Sequence, residues 1–516
     1  MRVGVLFVYV DYNRNGAHYK GALQPQIGPV IASLLPPGVE VEVINDTIEE
    51  PDWNRDYDLL FISCAHSDFD RARQISRYWQ RRGAKTVFGG VLASTYYSLC
   101  QPYFDSIVVG DSEGVVPELY QDFIEGNLRP LYVSRSYDAA TLPVPRFDLL
   151  TKQMLPLSLE ATRGCPFSCE FCALTGIGTR FHTRPVEMVV RDIEVGRKML
   201  RGLVPDWKLY GAAFVDNNIA GNLSYLGRLL EALRPLRLRW GAAVTFNAIC
   251  DPEVVQALER AGCRFLYMGL ESFNADSIAD MRKYQNAVEK TKSALEQCRN
   301  HGILVQSGLL INPLVDDLLY IETIPARLRE SGLHIPSFIC FECPIPGTPY
   351  FQRLASEPKP AFMPNALLRD FTGYTLVVRP KRETVEDFVA GYRAVLDATF
   401  SGRAKFRKLA DDIPRFMRHG RWESIAMDLI QQLTVVYRPP HPKRTYLPVT
   451  DVIPIEMSSV PLTESDFDSE EDRDSIMKPW QVTDEEGRVL PQWTQATKVY
   501  QSKGQLSEVL MKLRSA

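Results

Sequence analysis

The sequence predicts an α/β protein in which a doubly wound parallel sheet comes first, a partial (β/α)6 barrel second and a mostly helical region last. Three observations predict this class. In residues 1–134, short apolar runs alternate with helical stretches. The alternation resumes in a longer frame from about residue 156, and it gives way to a helical pattern after about residue 355. A length of 516 residues suits two or three domains.

The first domain, residues 1–134, is expected to contain five parallel strands in a Rossmann-like sheet. Strands are predicted at residues 3–10, 39–44, 59–63, 86–88 and 106–109, and helices at residues 26–35 and 70–82. Doubly wound sheets bind their ligands where the carboxyl ends of the strands meet. In this sequence those ends lie at residues 11–16, 64–68, 89–95 and 110–113.

A linker and a barrel are expected next. Residues 135–155 are polar and contain proline, which is typical of a linker. Residues 156–355 predict six β/α units, with strands at 158–161, 212–216, 240–246, 265–270, 305–311 and 338–342 and helices at 186–200, 222–234, 252–261, 287–301 and 319–331. Such a partial barrel has its site at the carboxyl ends of the strands, as the (β/α)8 barrel does.

The last region, residues 356–516, is expected to be helical at first and extended later. Residues 383–435 have a mostly helical pattern. Residues 438–495 are rich in proline and acid, with seven acidic side chains between Glu464 and Asp474. That composition predicts an extended or loosely ordered stretch.

Composition and charge exclude several classes of function. A net charge of −4 provides no whole-chain attraction to nucleic acid, so no nucleic-acid partner is expected. No apolar run approaches the length of a membrane span. The N-terminal MRVGVLFVYV run is followed by polar residues rather than a cleavage site, which favours a buried strand over a signal peptide. Ten cysteines are too few for a disulfide scaffold, so a cytoplasmic location is expected.

One segment has the spacing of a metal-cluster site. Cys165, Cys169 and Cys172 lie in a glycine- and proline-containing loop after a predicted strand. Thiolates at this spacing can converge on one small metal object, and three ligands leave one iron of a four-iron cube open. Zinc, one alternative, would need a fourth ligand, and His182 is ten residues on. Three unrelated core cysteines are the other alternative.

This segment resembles the signature of the radical SAM superfamily, which is CxxxCxxC with an aromatic residue just before the last cysteine. Phe171 occupies the aromatic position, which the resemblance places at the cofactor. Other segments resemble strand-end motifs of the superfamily's cobalamin-domain branch, namely residues 214–218, 268–273, 307–308 and 344–349. Together the motifs cover roughly residues 155–355.

The resemblance implies a [4Fe–4S] cluster on the three cysteines and S-adenosyl-L-methionine (SAM) as its partner. It places Glu271 and Ser272 at the ribose or amino-acid part of SAM. It places Asp216 and Asn218 near the methionine moiety or the substrate, and Gly308 where the backbone approaches closely. The alternatives are a salt bridge at the barrel rim for Glu271 and helix capping for Asp216 and Asn218.

The leading domain resembles the cobalamin-binding domain of the same branch. Gly89, Gly90 and Gly110 stand where that branch has its glycine elements, although residues 91–94 depart from the common pattern. The sequence has no Asp-x-His-x-x-Gly run, which supplies a histidine to cobalt in many cobalamin proteins. A domain retained without cobalamin is the alternative. His18 and His66 lie near predicted strand ends, where they could face a corrin or a substrate. The alternative is a lone surface or packing histidine at each position.

The implied function is methylation of an unactivated carbon in a small-molecule or natural-product substrate, through a 5′-deoxyadenosyl radical formed from SAM. An external one-electron donor such as flavodoxin or ferredoxin is the implied partner. The alternatives are radical rearrangement, cyclisation or oxidation without methyl transfer, and a non-catalytic iron–sulfur module. No residue for the substrate chemistry is identified from the sequence.

The remaining cysteines bear on the reaction class. A methylthiotransferase would need three cysteines in the first domain, which has only Cys64 and Cys100. Cys340 and Cys343 have CxxC spacing, but they straddle a predicted strand end, which disfavours an auxiliary cluster.

Overall fold

The computed structural model describes residues 1–9, 26–49, 51–134, 137–177, 181–355 and 371–433, with the short segments 482–483 and 489–490. The predicted strand end at residues 11–16, His18 and the acidic stretch from Glu464 to Asp474 lie outside the described residues.

The chain divides into two compact units that are interleaved in sequence. The first unit contains Met1–Pro156 and Pro344–Val377, and the second contains Leu157–Cys343 and Val378–Leu447. The sequence predicts four segments, with boundaries after residues 134, 155 and 355. These boundaries stay a prediction.

The first unit is built on a six-stranded parallel sheet. Its strands are β1 (Arg2–Val8), β2 (Glu40–Asn45), β3 (Leu59–Cys64), β4 (Lys85–Gly89), β5 (Ser106–Val109) and β6 (Leu131–Val133). Their order is β2-β1-β3-β4-β5-β6, so the direction of winding reverses between β1 and β3. The predicted doubly wound sheet is confirmed, with β6 as an additional strand. Three residues are too few to show a periodic pattern in the sequence.

Helices cover both faces of this sheet because its strands are apolar on both sides. The helices are α1 (Ile27–Leu34), α2 (Phe69–Arg81), α3 (Val91–Cys100) and α4 (Val116–Ile124). Val3 of β1 and Leu59 of β3 are fully buried and share a core with Ile31 of α1 and Leu119 of α4. This core holds the strands and helices of the first unit together.

The second unit contains the predicted partial barrel. Its strands are β7 (Leu157–Leu159), β8 (Thr162–Arg163), β9 (His182–Thr183), β10 (Gly211–Phe214), β11 (Arg239–Val244), β12 (Cys263–Glu271), β13 (Leu304–Ile311) and β14 (Phe338–Phe341). Strands β7, β10, β11, β12, β13 and β14 pair in sequence order, and all are parallel. Strands β8 and β9 form a separate antiparallel pair. All six predicted strands are present, with ends that differ by up to two residues.

Helices follow the barrel strands and then form the expected helical region. They are α5 (Ala173–Ile177), α6 (Val186–Leu200), α7 (Leu223–Leu233), α8 (Phe246–Ile249), α9 (Pro252–Arg260), α10 (Ala275–Asp280), α11 (Thr291–Asn300), α12 (Leu318–Ser331), α13 (Pro349–Ala355), α14 (Val385–Thr399), α15 (Gly402–Arg418) and α16 (Trp422–Leu433). The segments 482–483 and 489–490 pair as β15 (Val482–Thr483) and β16 (Val489–Leu490). In the described ranges, no helix is both long enough and apolar enough to span a bilayer.

Candidate functional site

The three clustered cysteines lie in the loop between β8 and α5, at the carboxyl edge of the partial barrel. Gly164 has a φ of +80°, in the left-handed region that glycine adopts without a steric penalty. Cys169 is buried, and Cys165 and Cys172 are partly buried. The loop therefore presents three thiols close to the end of β7, which is where the barrel fold predicts a site.

Asp216, just after β10, holds the start of this loop. Its carboxylate accepts hydrogen bonds from the backbone N–H groups of Ala161 and Thr162 and from Oγ1 of Thr162 at 2.7 Å. Burial raises the pKa of Asp216 to about 7, against the opposing effect of these hydrogen bonds. The next helix, α7, is capped by Asn222, so helix capping is the wrong interpretation of Asp216.

Asn218 contacts the first of the three cysteines. Its Nδ2 donates to the Sγ of Cys165 at 3.7 Å, and its Oδ1 accepts from the backbone N–H of Thr245 at 3.3 Å. The neighbouring Asn217 accepts from the N–H of Gly164 at 3.3 Å. The residues after β10 therefore bind both the backbone of the cysteine loop and one of its sulfurs, and Asn218 is not a helix cap.

The second cysteine is bound from the segment that follows α10. Nε2 of Gln285 donates to the Sγ of Cys169 at 3.5 Å. Beside it, the N–H of Glu170 donates to the carbonyl of Met281 at 3.1 Å, and the buried Glu170 carboxylate pairs with Arg282 at 2.9 Å. These contacts fasten the cysteine loop to the segment between β12 and α11.

The third cysteine takes its hydrogen bonds from the backbone. The N–H groups of Leu174 and Thr175, in the first turn of α5, donate to Cys172 and act to lower its thiol pKa. Burial is the larger effect and raises the pKa values of Cys169 and Cys172. All three sulfurs thus have N–H donors directed at them.

This donor set suits the thiolate ligands of an iron–sulfur cluster. Within the described ranges, no three His, Cys, Asp or Glu side chains are arranged to hold one metal ion. Thiolates of an iron–sulfur cube bind different iron atoms, so they need not converge on one point. N–H donors to the sulfurs, as found on Cys165, Cys169 and Cys172, stabilise such a cluster and set its reduction potential.

A buried ion pair lies beside the cysteine loop. Nζ of Lys283 pairs with the Glu271 carboxylate at the end of β12, and it lies 5.8 Å from the ring centroid of Phe171. Glu271 has a φ of +64°, at an irregular step in the register of β12. A Cβ on Gly269 would collide with the ends of both charged side chains, so glycine makes the space for this pair. Glu271 therefore forms a salt bridge with Lys283, which is the alternative that the sequence analysis left open for this residue.

Ser272 and Gly308, also expected at the SAM site, have packing partners. The Ser272 hydroxyl lies 2.9 Å from the Tyr320 hydroxyl and accepts from the N–H of Asn274 at 3.0 Å. A Cβ on Gly308 would collide with the ring of Phe338. The group that comes close to the backbone at Gly308 is therefore the aromatic ring of Phe338.

In the first unit, the predicted glycines lie at the carboxyl edge of β4 and β5. Gly90 has a φ of +101°, and a Cβ there would come 2.6 Å from Oγ of Ser63. Gly110 has a φ of +87°, and its N–H donates to Oγ of Ser94 at 3.0 Å. Gly89 has no such crowding, since its nearest neighbour would be 3.7 Å away. Glycine therefore leaves the backbone without a side chain at the ends of β4 and β5, where doubly wound sheets bind their ligands.

The remaining candidates are His66 and the CxxC pair of Cys340 and Cys343. His66 Nε2 lies 2.6 Å from the carbonyl of Phe371, to which it donates, and burial lowers the pKa of the ring. Packing is therefore the interpretation that describes His66. Cys340 is buried at the end of β14, and Cys343 is partly buried.

Sequence reasoning missed several residues that contact the cysteine loop, among them Asn217, Lys283 and Gln285. Asn217 lies in the motif at residues 214–218, and the only sequence feature that could have identified it is its position next to Asn218. Lys283 and Gln285 follow α10 with no distinguishing spacing, because their roles depend on how the segment after β12 folds back.

Comparison with known proteins agrees with this site. Residues 159–317 match the family model of the radical SAM superfamily. Bacteriochlorophyllide d C-8(2)-methyltransferase of Chlorobaculum tepidum is 25% identical over 331 residues, which are 62% of this chain and 73% of that protein.

Two solved structures share the fold. The radical SAM methyltransferase TsrM from Kitasatospora setae, with cobalamin and a [4Fe–4S] cluster bound, aligns with a TM-score of 0.56 at 18% identity, over 74% of this chain and 82% of TsrM. The cobalamin-dependent SAM radical enzyme OxsB, with aqua-cobalamin and SAM bound, aligns with a TM-score of 0.60 at 13% identity, over 83% of this chain and 72% of OxsB. Residues 159–317 therefore have the radical SAM domain, and the fold of the chain is similar to the folds of the cobalamin-dependent enzymes TsrM and OxsB.

Proposed function

We propose that this protein is a cobalamin-dependent radical SAM enzyme that methylates an unactivated carbon of a small-molecule substrate. The observation that carries the proposal is the triad of Cys165, Cys169 and Cys172 at the barrel edge, with an N–H donor directed at each sulfur. When they are bound, the [4Fe–4S] cluster and SAM supply a radical able to remove hydrogen from carbon, and cobalamin supplies a methyl group.

The residues of the second unit have separate tasks in this proposal. Cys165, Cys169 and Cys172 hold the cluster. The Asp216 carboxylate accepts three hydrogen bonds from Ala161 and Thr162, and it thereby holds the backbone that precedes the cysteine loop. Asn218 orients one sulfur while its own amide is held by Thr245.

The pair of Glu271 and Lys283 positions the other side of the loop. Both side chains are buried, so the pair is held away from water and keeps a defined geometry. Lys283 acts to lower the pKa of Cys169, and Glu271 acts to raise it, so both charges are felt at this sulfur. We assign Glu271 and Ser272 to the SAM side of the site and Phe171 to its wall beside Lys283.

In the first unit, the small residues at the carboxyl ends of β3, β4 and β5 support a cobalamin site. Gly89, Gly90 and Gly110 line this edge, and the winding of the sheet reverses at the neighbouring β1–β3 step. The chemistry named for TsrM and for the bacteriochlorophyllide methyltransferase supports methyl transfer as the outcome.

The partner chemistry follows from the redox step. We assign a flavodoxin- or ferredoxin-type protein as the one-electron donor, and a reducing compartment such as the cytoplasm. No disulfide joins the cysteines of the described residues, which suits thiolates that serve as cluster ligands.

The test is an anaerobic assay of the reconstituted, reduced chain with SAM, in the presence and absence of hydroxocobalamin. The expected result is about four irons per chain, retained corrinoid and 5′-deoxyadenosine, detected by mass spectrometry. The Cys165→Ala/Cys169→Ala/Cys172→Ala variant should lose iron and product, whereas Cys250→Ala, outside the loop, should keep both.

Two outcomes would change the proposal. Deoxyadenosine formation without corrinoid binding would favour radical rearrangement, cyclisation or oxidation over methyl transfer. An intact cluster that never cleaves SAM, even with candidate substrates added, would favour a non-catalytic iron–sulfur module.

A further inference from the structure

A second concave site lies in the barrel unit, among α12, α14 and α15. The cavity has a volume of about 330 Å³, and its lining includes Arg329, His334, Thr399, Ser401, Arg403 and Arg407. We propose that it binds a phosphate ester that also has hydroxyl groups, such as a sugar phosphate or a nucleotide.

The cavity has positive charge without acidic partners. Arg329, Arg403 and Arg407 are solvent-exposed at the cavity, and none of them forms an ion pair in the part of the chain that the structure describes. The nearby carboxylates of Asp411 and Asp412 are bound by other cations, which are Arg299, Lys408 and Arg415. Three guanidinium groups without acids match an anion with several oxygens, because the guanidinium fork binds phosphate in a bidentate manner.

A long helix begins at the same cavity. Helix α15 is 17 residues long, and its N-cap is Ser401, whose side chain accepts from the N–H of Ala404. The positive end of the helix dipole and the remaining N–H groups of the first turn favour an anion there. Arg403 and Arg407 are four residues apart and therefore lie on one face of α15. The helix end and its two arginines thus face the same cavity.

Two polar atoms at the cavity account for the hydroxyl groups of the ligand. The side chain of Thr399 is buried, and its Oγ1 has no hydrogen-bond partner among the described atoms. His334 donates from Nε2 to Asp411 at 3.1 Å, and burial lowers the pKa of the ring. Its Nδ1 is then an acceptor, and it too has no partner in the described residues. Buried polar atoms normally find partners, and hydroxyl groups of a ligand would serve both.

The position of the cavity separates it from the cysteine site. Arg329 is near the end of α12 and His334 comes just before β14, so the lining approaches the amino end of that strand. Cys165, Cys169 and Cys172 follow the carboxyl end of β7. The ligand of the cavity is therefore a second, non-reacting ligand, and its binding does not depend on the proposed methylation.

The test is anaerobic titration calorimetry on the reconstituted full chain saturated with SAM. The probes are ribose 5-phosphate, inorganic phosphate and ribose. Ribose 5-phosphate should bind more tightly than either of the other two. The Arg403→Gln/Arg407→Gln variant should raise the Kd for ribose 5-phosphate by about tenfold or more, since two charge-assisted contacts are lost. Arg418→Gln, on the same helix but outside the cavity, should leave the Kd unchanged.

A second variant tests the hydroxyl contacts. Thr399→Val keeps the shape of the side chain, and it should reduce the preference for ribose 5-phosphate over inorganic phosphate. Unchanged binding in the double arginine variant would overturn the proposal, and so would equal binding of phosphate and ribose 5-phosphate by the unmodified chain. The visible absorbance of the cluster verifies that each variant is folded.

Discussion

The side-chain amide of Gln285 donates a hydrogen bond to the Sγ of Cys169 at 3.5 Å, across 116 residues of sequence. The contact joins the segment after α10 to the cysteine loop, and it adds an N–H donor to the most deeply buried of the three thiols. A hydrogen bond to a cluster sulfur stabilises the more negative, reduced state.

Gln285→Leu is therefore expected to lower the reduction potential of the cluster without preventing its assembly. A hydrogen bond to a charged group contributes about 1.5 kcal/mol, which for one electron corresponds to a decrease of roughly 60 mV. The measurement is a potentiometric titration followed by electron paramagnetic resonance. Gln256→Leu, on the exposed face of α9, is the control. Equal potentials in the two variants would show that the amide does not act on the cluster.

The buried pair of Glu271 and Lys283 is expected to be strongly coupled. Lys283→Met leaves the Glu271 carboxylate buried without its cation, which should destabilise the protein by about 3 kcal/mol. The double variant Glu271→Gln/Lys283→Met should recover most of that loss, because no charge remains. Thermal unfolding of the three proteins measures the effect, and a double variant no more stable than the single one would contradict it.

A side chain at Gly269 is expected to disturb this buried pair, because a Cβ would collide with the ends of both charged side chains. Gly269→Ala should lower the thermal unfolding midpoint and reduce the cluster content after reconstitution. Gly227→Ala, in the interior of α7 with nothing near the new methyl group, is the matched control. The control should be neutral or more stable by about 0.5–1 kcal/mol, since alanine is the better helix former. Similar losses in both variants would mean that the space around Gly269 is not the cause.

Asp216 should make stability depend on pH. Its pKa is about 7 in the folded protein, above the ordinary value of 3.8, so the folded state binds the proton more tightly. The stability that this group contributes is then fully present below its unfolded pKa of 3.8, and it is lost as pH rises through about 7. Between pH 6 and 8 the decrease is about 1 kcal/mol for this group alone.

Asp216→Asn should remove that component, because the amide does not titrate. Urea unfolding at several pH values, compared with exposed Asp397→Asn, measures the difference. A pH dependence that is the same in Asp216→Asn and in the unmodified chain would contradict the prediction.

Gly110 is expected to matter for cobalamin rather than for the cluster. It has a positive φ, and a Cβ there would lie 2.9 Å from the Cβ of Ser134. Gly110→Ala should therefore reduce corrinoid retention while the iron content is unchanged. Gly126→Ala has a positive φ of +74° but nothing within 4 Å, so it reproduces the backbone strain without the crowding. Loss of corrinoid in both variants would point to strain alone.

Much of the fold could be predicted because its signals are local. The helix predicted at residues 186–200 is α6 (Val186–Leu200), since its apolar residues recur with helical spacing. The six barrel strands are buried apolar runs, which are visible in the sequence. The short strand β6 was not predicted, because its place in the sheet comes from pairing with β5.

By itself, the sequence determined the order of strands and helices and the cysteine spacing, since both depend on neighbours along the chain. Only the tertiary structure decided that Asp216 holds Thr162, that Gln285 contacts Cys169 and that Lys283 pairs with Glu271 at an irregular step of β12. The physical reason is that hydrogen bonds and ion pairs act over a few ångströms in space. Which side chains come that close depends on the path of the loops after each strand, and no periodicity of the sequence records that path.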